Sequence, residues 1–149
     1  MNAQDEIIIF DASNLILGRM ATVVAKHLLR GEKVVILNSE KAVISGKRLS
    51  KTREAKEKLK IGHHRKGPYW PRQPDRYVKR AVRGMLPRGS HKGKEAYKRL
   101  RVFIGVPSVY KDNPTSTITE AKAEKLRCST ITVGELVKEI GWHPVGQGE

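Results

Sequence analysis

The chain has 149 residues, 38% of them apolar and 30% charged, with a formal net charge of +15; this length and composition make one domain able to bury about 70% of the surface its unfolded chain exposes and exclude a disordered basic tail. One cysteine, Cys128, excludes an intrachain disulfide, the start Met1-Asn2-Ala3-Gln4-Asp5-Glu6 lacks the features of a signal peptide, and the aliphatic runs are too short to span a bilayer, so a soluble, intracellular protein is expected. The excess charge is confined to Lys47 through Arg101, where twenty Lys/Arg meet only Glu54, Glu57, Asp75 and Glu95, a net of +16; the remaining residues carry ten basic and eleven acidic groups, a net of −1.

In chain order, Ile7-Ile8-Ile9-Phe10 is a continuous β-branched run of the kind covered on both faces of a sheet. After the turn Asp11-Ala12-Ser13-Asn14, the positions Ile16, Met20, Val23, Val24, His27 and Leu28 recur at helical spacing, and Gly31 closes the segment as a C-terminal cap. Val34-Val35-Ile36-Leu37 is a second strand and Ala42-Val43-Ile44-Ser45 a third candidate. Strand, helix and strand with tight joins predict a right-handed crossover and a parallel sheet. Ser50 to Lys60 contains good helix formers, but Ala55 and Leu59 are its only apolar side chains, so such a helix needs solvent or a partner on nearly every face.

Ile61 to Asp75 contains Pro68, Pro71 and Pro74, which predicts an extended loop, mobile in the free protein. Asp75 is placed to cap a helix with Tyr77, Val78, Ala81, Val82 and Met85 on its apolar stripe and Arg76, Lys79, Arg80 and Arg83 on the other face. A second basic helix, Lys92 to Leu100, leads into Val102-Phe103-Ile104, the last clear strand. Thr132-Val133-Gly134-Glu135 is a capping box opening a helix with Val133, Leu136, Val137 and Ile140 inward. No internal repeat or domain linker interrupts 1–149.

In the loop, His63, His64, Arg65, Lys66 and Arg72 alternate with Tyr69 and Trp70, on a backbone expected not to fold back on itself. Phosphates attract such cations, and unpaired bases stack on such rings. Tyr69 and Trp70 can equally serve as anchors pinning the loop to the core. A merely solvated face mixes charge signs, whereas this one has five cations for each anion. With Arg48, Lys51 and Arg53 before the loop, and Arg76, Lys79, Arg80, Arg83, Arg88, His91, Lys92, Lys94, Lys98 and Arg99 after it, these residues form a candidate RNA-binding set.

Other chemistry fits less well. Gly84 to Ser90 and Gly89 to Glu95 do not place Gly-Lys-Ser/Thr four residues after the first Gly, and neither follows a strand, so no nucleotide-hydrolysing loop is expected. His63, His64, His91 and Cys128 lack metal-ligand spacing. Asp11 follows the first strand, where α/β enzymes often put a catalytic carboxylate, but with no second carboxylate or nucleophile beside it the expected role is to satisfy the turn and helix start. The basic helix from Arg76 could lie on a membrane, yet its small apolar stripe predicts that it packs inward. No enzyme activity, cofactor, metal or small-molecule substrate is expected.

Asp11-Ala12-Ser13-Asn14-Leu15-Ile16-Leu17-Gly18-Arg19, Val35-Ile36-Leu37-Asn38 and above all Ala81-Val82-Arg83-Gly84-Met85-Leu86-Pro87-Arg88-Gly89 resemble the signatures of the universal large-subunit ribosomal protein thirteen family. The resemblance covers nearly the whole chain. It implies an α/β domain of three layers, with a mainly parallel sheet of about four strands flanked by helices. It further implies a structural role in the large subunit, binding its rRNA during assembly and in the mature particle, with no catalysis and a cytoplasmic location. Arg30-Gly31-Glu32-Lys33 joins helix and strand directly where bacterial members carry an insertion, and the tail through Ile118-Thr119-Glu120-Ala121-Lys122 to Gly141-Trp142 resembles the archaeal and eukaryotic form. Residues 112–149 are thus expected to be a C-terminal extension whose partner could be a neighbouring ribosomal protein, and the free chain is expected to be monomeric.

The residues suggest that Gly84 to Gly89 turns the chain so that both basic helices present cations to one surface, Pro87 fixing the bend and the glycines letting backbone approach phosphate. An mRNA-binding regulator outside the ribosome would use the same cationic surface and is the alternative.

Overall fold

A computed structural model describes residues 7–144. The expectation drawn from Met1 to Glu6, and the last five positions of the 112–149 extension, lie outside the described residues. The expected βαβ start is present: β1 (Ile7–Asp11), α1 (Leu17–Arg30) and β2 (Lys33–Leu37), with β1 and β2 parallel and Ile7 opposite Lys33. β4 (Leu100–Val102) lies parallel on the other side of β2, giving the order β1-β2-β4. The alternation of side chains explains the unbroken apolar runs. Phe10, Val34 and Ile36 belong to the main core, while Ile9, Val35 and Leu37 point the other way, against Phe103 and Tyr110. Both faces are therefore dry, as a parallel sheet requires.

α1 forms because Leu17, Met20, Ala21, Val24, Ala25 and Leu28 fall on one face and are buried. Burying side chains of the size of Met20, Val24 and Leu28 contributes about 1.5–3 kcal/mol each. Gly31 ends the helix at φ 105°, a left-handed conformation costly for other residues, and its N–H returns to His27 and Leu28. α3 (Pro74–Gly84) and α4 (His91–Lys98) both pack on α1, and α2 (Arg48–Lys60) packs on α5 (Val133–Glu139).

The mainly parallel α/β architecture is as read from the sequence, with several corrections in detail. β3 (Val43–Ser45) does not extend the parallel sheet; it pairs antiparallel with β5 (Thr130–Thr132), a strand without a clear pattern of its own. The far face of the parallel sheet is covered by Phe103 and Tyr110, the latter in a short 3-10 turn, in place of a helical layer. The last parallel strand begins at Leu100, because Leu100 and Val102 pair with Val34 and Ile36, so the preceding helix stops at Lys98. Pro74 is the first residue of α3 and Gln73 its cap, leaving Asp75 inside the first turn. Met85 is exposed and takes the Thr22 hydroxyl on its sulfur, while Leu86 is buried in its place.

The tail is part of the fold. Its residues Ile118, Ala121, Ile131, Val133, Leu136, Val137 and Ile140 are buried in the main core. The Ile16 N–H donates to Ala121 O, the Ala123 N–H to Asn14 O and the Ser116 N–H to Ile9 O, so residues 116–123 are stitched along β1 and the turn before α1. The capping box is as expected: Thr132 Oγ1 accepts from the Glu135 N–H, and the Glu135 carboxylate accepts from the Thr132 N–H.

Candidate nucleic-acid interface

Asp11 and Asn38, from two of the family-like motifs, meet at the ends of β1 and β2. Asp11 Oδ1 accepts from the Ser13 N–H at 2.9 Å, the Ser13 hydroxyl at 2.7 Å and the Asn38 amide at 3.0 Å. Burial works against its charge, but the Asn38 and Ser13 bonds and the Lys41 charge outweigh it and hold the carboxyl below the ordinary aspartate range. Asn14 (φ 57°) and Asn38 (φ 52°) sit in the left-handed region that Asn tolerates best among larger residues. Asp11 satisfies the turn but not the helix start, where Ile16 is the cap without a side-chain bond.

The cationic segment lies on the outside of this frame, and little of its charge is neutralised internally. Of its twenty Lys/Arg, only Arg48, Lys51, Lys58 and Lys98 lie within 4 Å of a carboxylate of the described residues. Arg48 pairs with Glu139 at 2.7 Å. Glu54 sits between Lys58 at 2.7 Å and Lys51 at 3.2 Å, which lower its pKa, and Lys98 does the same to Glu95. His91 stands 3.9 Å from Glu95. These exposed pairs are screened by solvent and do little to cancel a field of this size.

The expected loop is not extended along its whole length. His63 and Gly67 exchange both backbone hydrogen bonds, at 3.0 and 2.8 Å, so the backbone does fold back on itself; the His63 and His64 rings stack at 4.3 Å, with Arg65 and Lys66 exposed at the tip. Tyr69 is 66% exposed and its hydroxyl donates to the carbonyls of Arg65 and His64. Trp70 is half-buried, with the Arg80 guanidinium 3.9 Å and the Lys58 ammonium 5.2 Å from its ring centroid, and it adjoins Ala55, Leu59 and Tyr77. Trp70 is thus the anchor and Tyr69 the presented ring. Arg72 lies against Gly141, and Arg53 is exposed on α2.

On α3, Arg76 is exposed and Lys79, Arg80 and Arg83 are half-buried; Lys79 sits 5.1 Å from the Tyr97 ring of α4. Arg88, Lys92 and Lys94 are exposed. Arg99 differs from the rest of the predicted set, since its Nη2 donates to Leu28 O at 3.0 Å and ties β4 to the end of α1. The glycine that shapes the α3–α4 turn is Gly93, buried in α4 where an added Cβ would stand 2.0 Å from Pro87 O; Gly84 and Gly89 have open space around them. Ser90 caps α4 through the Gly93 N–H. Sequence reasoning missed Gly93 and Tyr97, because their roles arise from which turns of α3 and α4 meet. Among the described residues no group of three or more His, Cys, Asp or Glu side chains could hold a metal, and no helix is long and apolar enough to cross a membrane.

A charge-balanced α/β frame with one largely unpaired cationic segment on its outside is the build of a domain that sits against phosphates. The sequence profile of the family described as ribosomal protein L13 matches residues 5–109. The large ribosomal subunit protein uL13 of Archaeoglobus fulgidus is 43% identical over 143 residues, 95% of this chain and 92% of its own length. That of Methanopyrus kandleri is 42% identical over 147 residues, 96% of this chain and 92% of its own length, and that of Methanosarcina barkeri 46% over 135, or 89% and 96%. The chain belongs to the ribosomal protein L13 family, whose members are structural ribosomal proteins and not enzymes. The archaeal alignments run through the tail, beyond the point where the family profile stops.

Proposed function

We propose that this protein is an rRNA-binding structural constituent of the large ribosomal subunit, seated in the cytoplasmic ribosome by the cationic surface of α2, the 61–73 loop, α3 and α4. The observation that carries this reading is the set of sixteen Lys/Arg between Lys47 and Arg101 without a carboxylate within 4 Å among the described residues. Uncompensated cations held on a rigid frame repel one another until counterions or phosphates gather around them. Arg76, Lys79, Arg83, Arg88, Lys92 and Lys94 make phosphate contacts, while Trp70 and Arg80 hold the loop ready. The free protein is monomeric and is a single domain, its tail available to neighbouring ribosomal proteins only on the surface left after packing against its own core. If about eight phosphates are neutralised, log affinity for large-subunit rRNA fragments falls with log salt at a slope of about −6 to −7. A filter-binding titration across salt concentrations measures this, and a slope near zero contradicts the reading.

A further inference from the structure

Two recesses adjoin between α3 and α4. One, of about 400 Å³, is walled by Tyr69, Trp70, Arg76, Arg80, Arg83 and Tyr97. The other, of about 490 Å³, is walled by Arg83, Leu86, Arg88, Lys94 and Tyr97. Both volumes lie in the range of small-ligand sites, roughly 300–1,000 Å³. Neither is lined by a carboxylate, and Arg83 and Tyr97 form the wall between them.

The shared wall carries two polar groups open to a ligand. Arg83 is half-buried, yet its guanidinium has no hydrogen bond or ion pair among the described residues. None of its nitrogens is sealed from solvent, so the guanidinium can donate in bidentate fashion to an incoming phosphate. The Tyr97 hydroxyl likewise has no partner among the described residues, and the Lys79 ammonium, which also lines the first recess, lies over one face of the ring at 5.1 Å. The Trp70 ring is already engaged by Arg80, leaving the face of Tyr97 away from Lys79 and the exposed Tyr69 as the ring surfaces open to a ligand.

We propose that this trough receives two consecutive unpaired nucleotides of ribosomal RNA, one base in each recess on either side of Tyr97, with the intervening phosphate on Arg83. The order recess, ring with guanidinium, recess repeats the order base, phosphate, base of a single strand. A duplex presents only its backbone and stacked edges and reaches neither recess, whereas a splayed single strand offers ring faces as well as charge. The inference rests on the rRNA-binding reading and adds to it a preference for unpaired RNA, set by Tyr97.

The full-length protein is titrated, at one salt concentration, with fluorescent oligouridylate and with a blunt RNA duplex of equal phosphate number. Tyr97→Leu and Arg83→Gln are each expected to weaken oligouridylate binding about tenfold and duplex binding by less than about threefold, while Tyr97→Phe stays near wild type. Equal weakening of both RNAs by Arg83→Gln, or no effect of a folded Tyr97→Leu, overturns the trough and leaves the rRNA-binding reading standing. Binding to neither RNA overturns both. If Tyr97→Leu does not fold, Arg83→Gln decides alone by selective or equal loss. Displacement of oligouridylate by polyglutamate at equal charge as effectively as by unlabelled RNA would make the trough a general anion site and also overturn it.

Discussion

α1 and α2 are helices of nearly equal length, 14 and 13 residues, built in opposite ways. α1 buries six side chains on one stripe and is held by packing; α2 buries only Thr52 and Ala55 and carries Leu49 84% exposed. What anchors α2 is a narrow contact, Ala55 and Leu59 against the core, with the exposed Lys51–Glu54–Lys58 pairs and the Arg48–Glu139 bridge to α5 adding only weak local support. One helix belongs to the frame, and the other is a carrier of charge whose outer face the protein leaves to solvent or to a partner.

The strongest way to break this comparison is to remove the part of the tail that packs against α2 and closes the core. Deleting residues 127–149 strips Ile131, Val133, Leu136, Val137 and Ile140 from the core and leaves β3 without its partner. The truncated chain is expected to lose its cooperative thermal transition by circular dichroism; a cooperative melt within about 5 °C of the full chain would show the tail to be dispensable. A sharper contrast comes from one side chain in each helix. Met20→Ala in α1 should cost about 2–5 kcal/mol in urea denaturation, whereas Leu49→Ala in α2 should change stability by less than about 0.5 kcal/mol; similar losses at the two sites would erase the distinction.

Much of this was legible in the residues. α1 announces itself because a buried face needs apolar positions every three or four residues, and β1 and β2 do so because a sheet covered on both faces confines polar residues such as Asp11 and Lys33 to the strand ends. β5 is hidden because Thr130-Ile131-Thr132 is one buried residue between two polar ones, a pattern shared by many turns, and it becomes a strand only when β3 lies beside it. The cationic set was readable as charge, but not its division of labour. That Arg99 ties down the end of α1, that Trp70 is clamped by Arg80, and that Tyr97 stands between two recesses depend on contacts between residues far apart in the chain. Charge composition carries none of that geometry.

The smallest expected effect concerns the frame in acid. The Asp11 carboxyl is lowered in the folded state, so its ionised form contributes stability that is full above the unfolded value of about 4 and is lost as pH falls through the folded one. Asp11→Asn should therefore lower stability at neutral pH and flatten its fall in acid. Urea midpoints of the two proteins measured between neutral pH and the acid limit check this; parallel curves would show that Asp11 does not carry the dependence.

The seam formed by residues 116–132 also bears on how the chain comes into being. Arg19 reaches across 101 positions to the Glu120 carbonyl, and β3 waits for a strand made more than eighty residues later. Contacts of such long range close late and slowly. The cationic stretch from Lys47 to Arg101 is therefore synthesised before the strand that completes the sheet beside it, so its charge is in place before the fold behind it can lock.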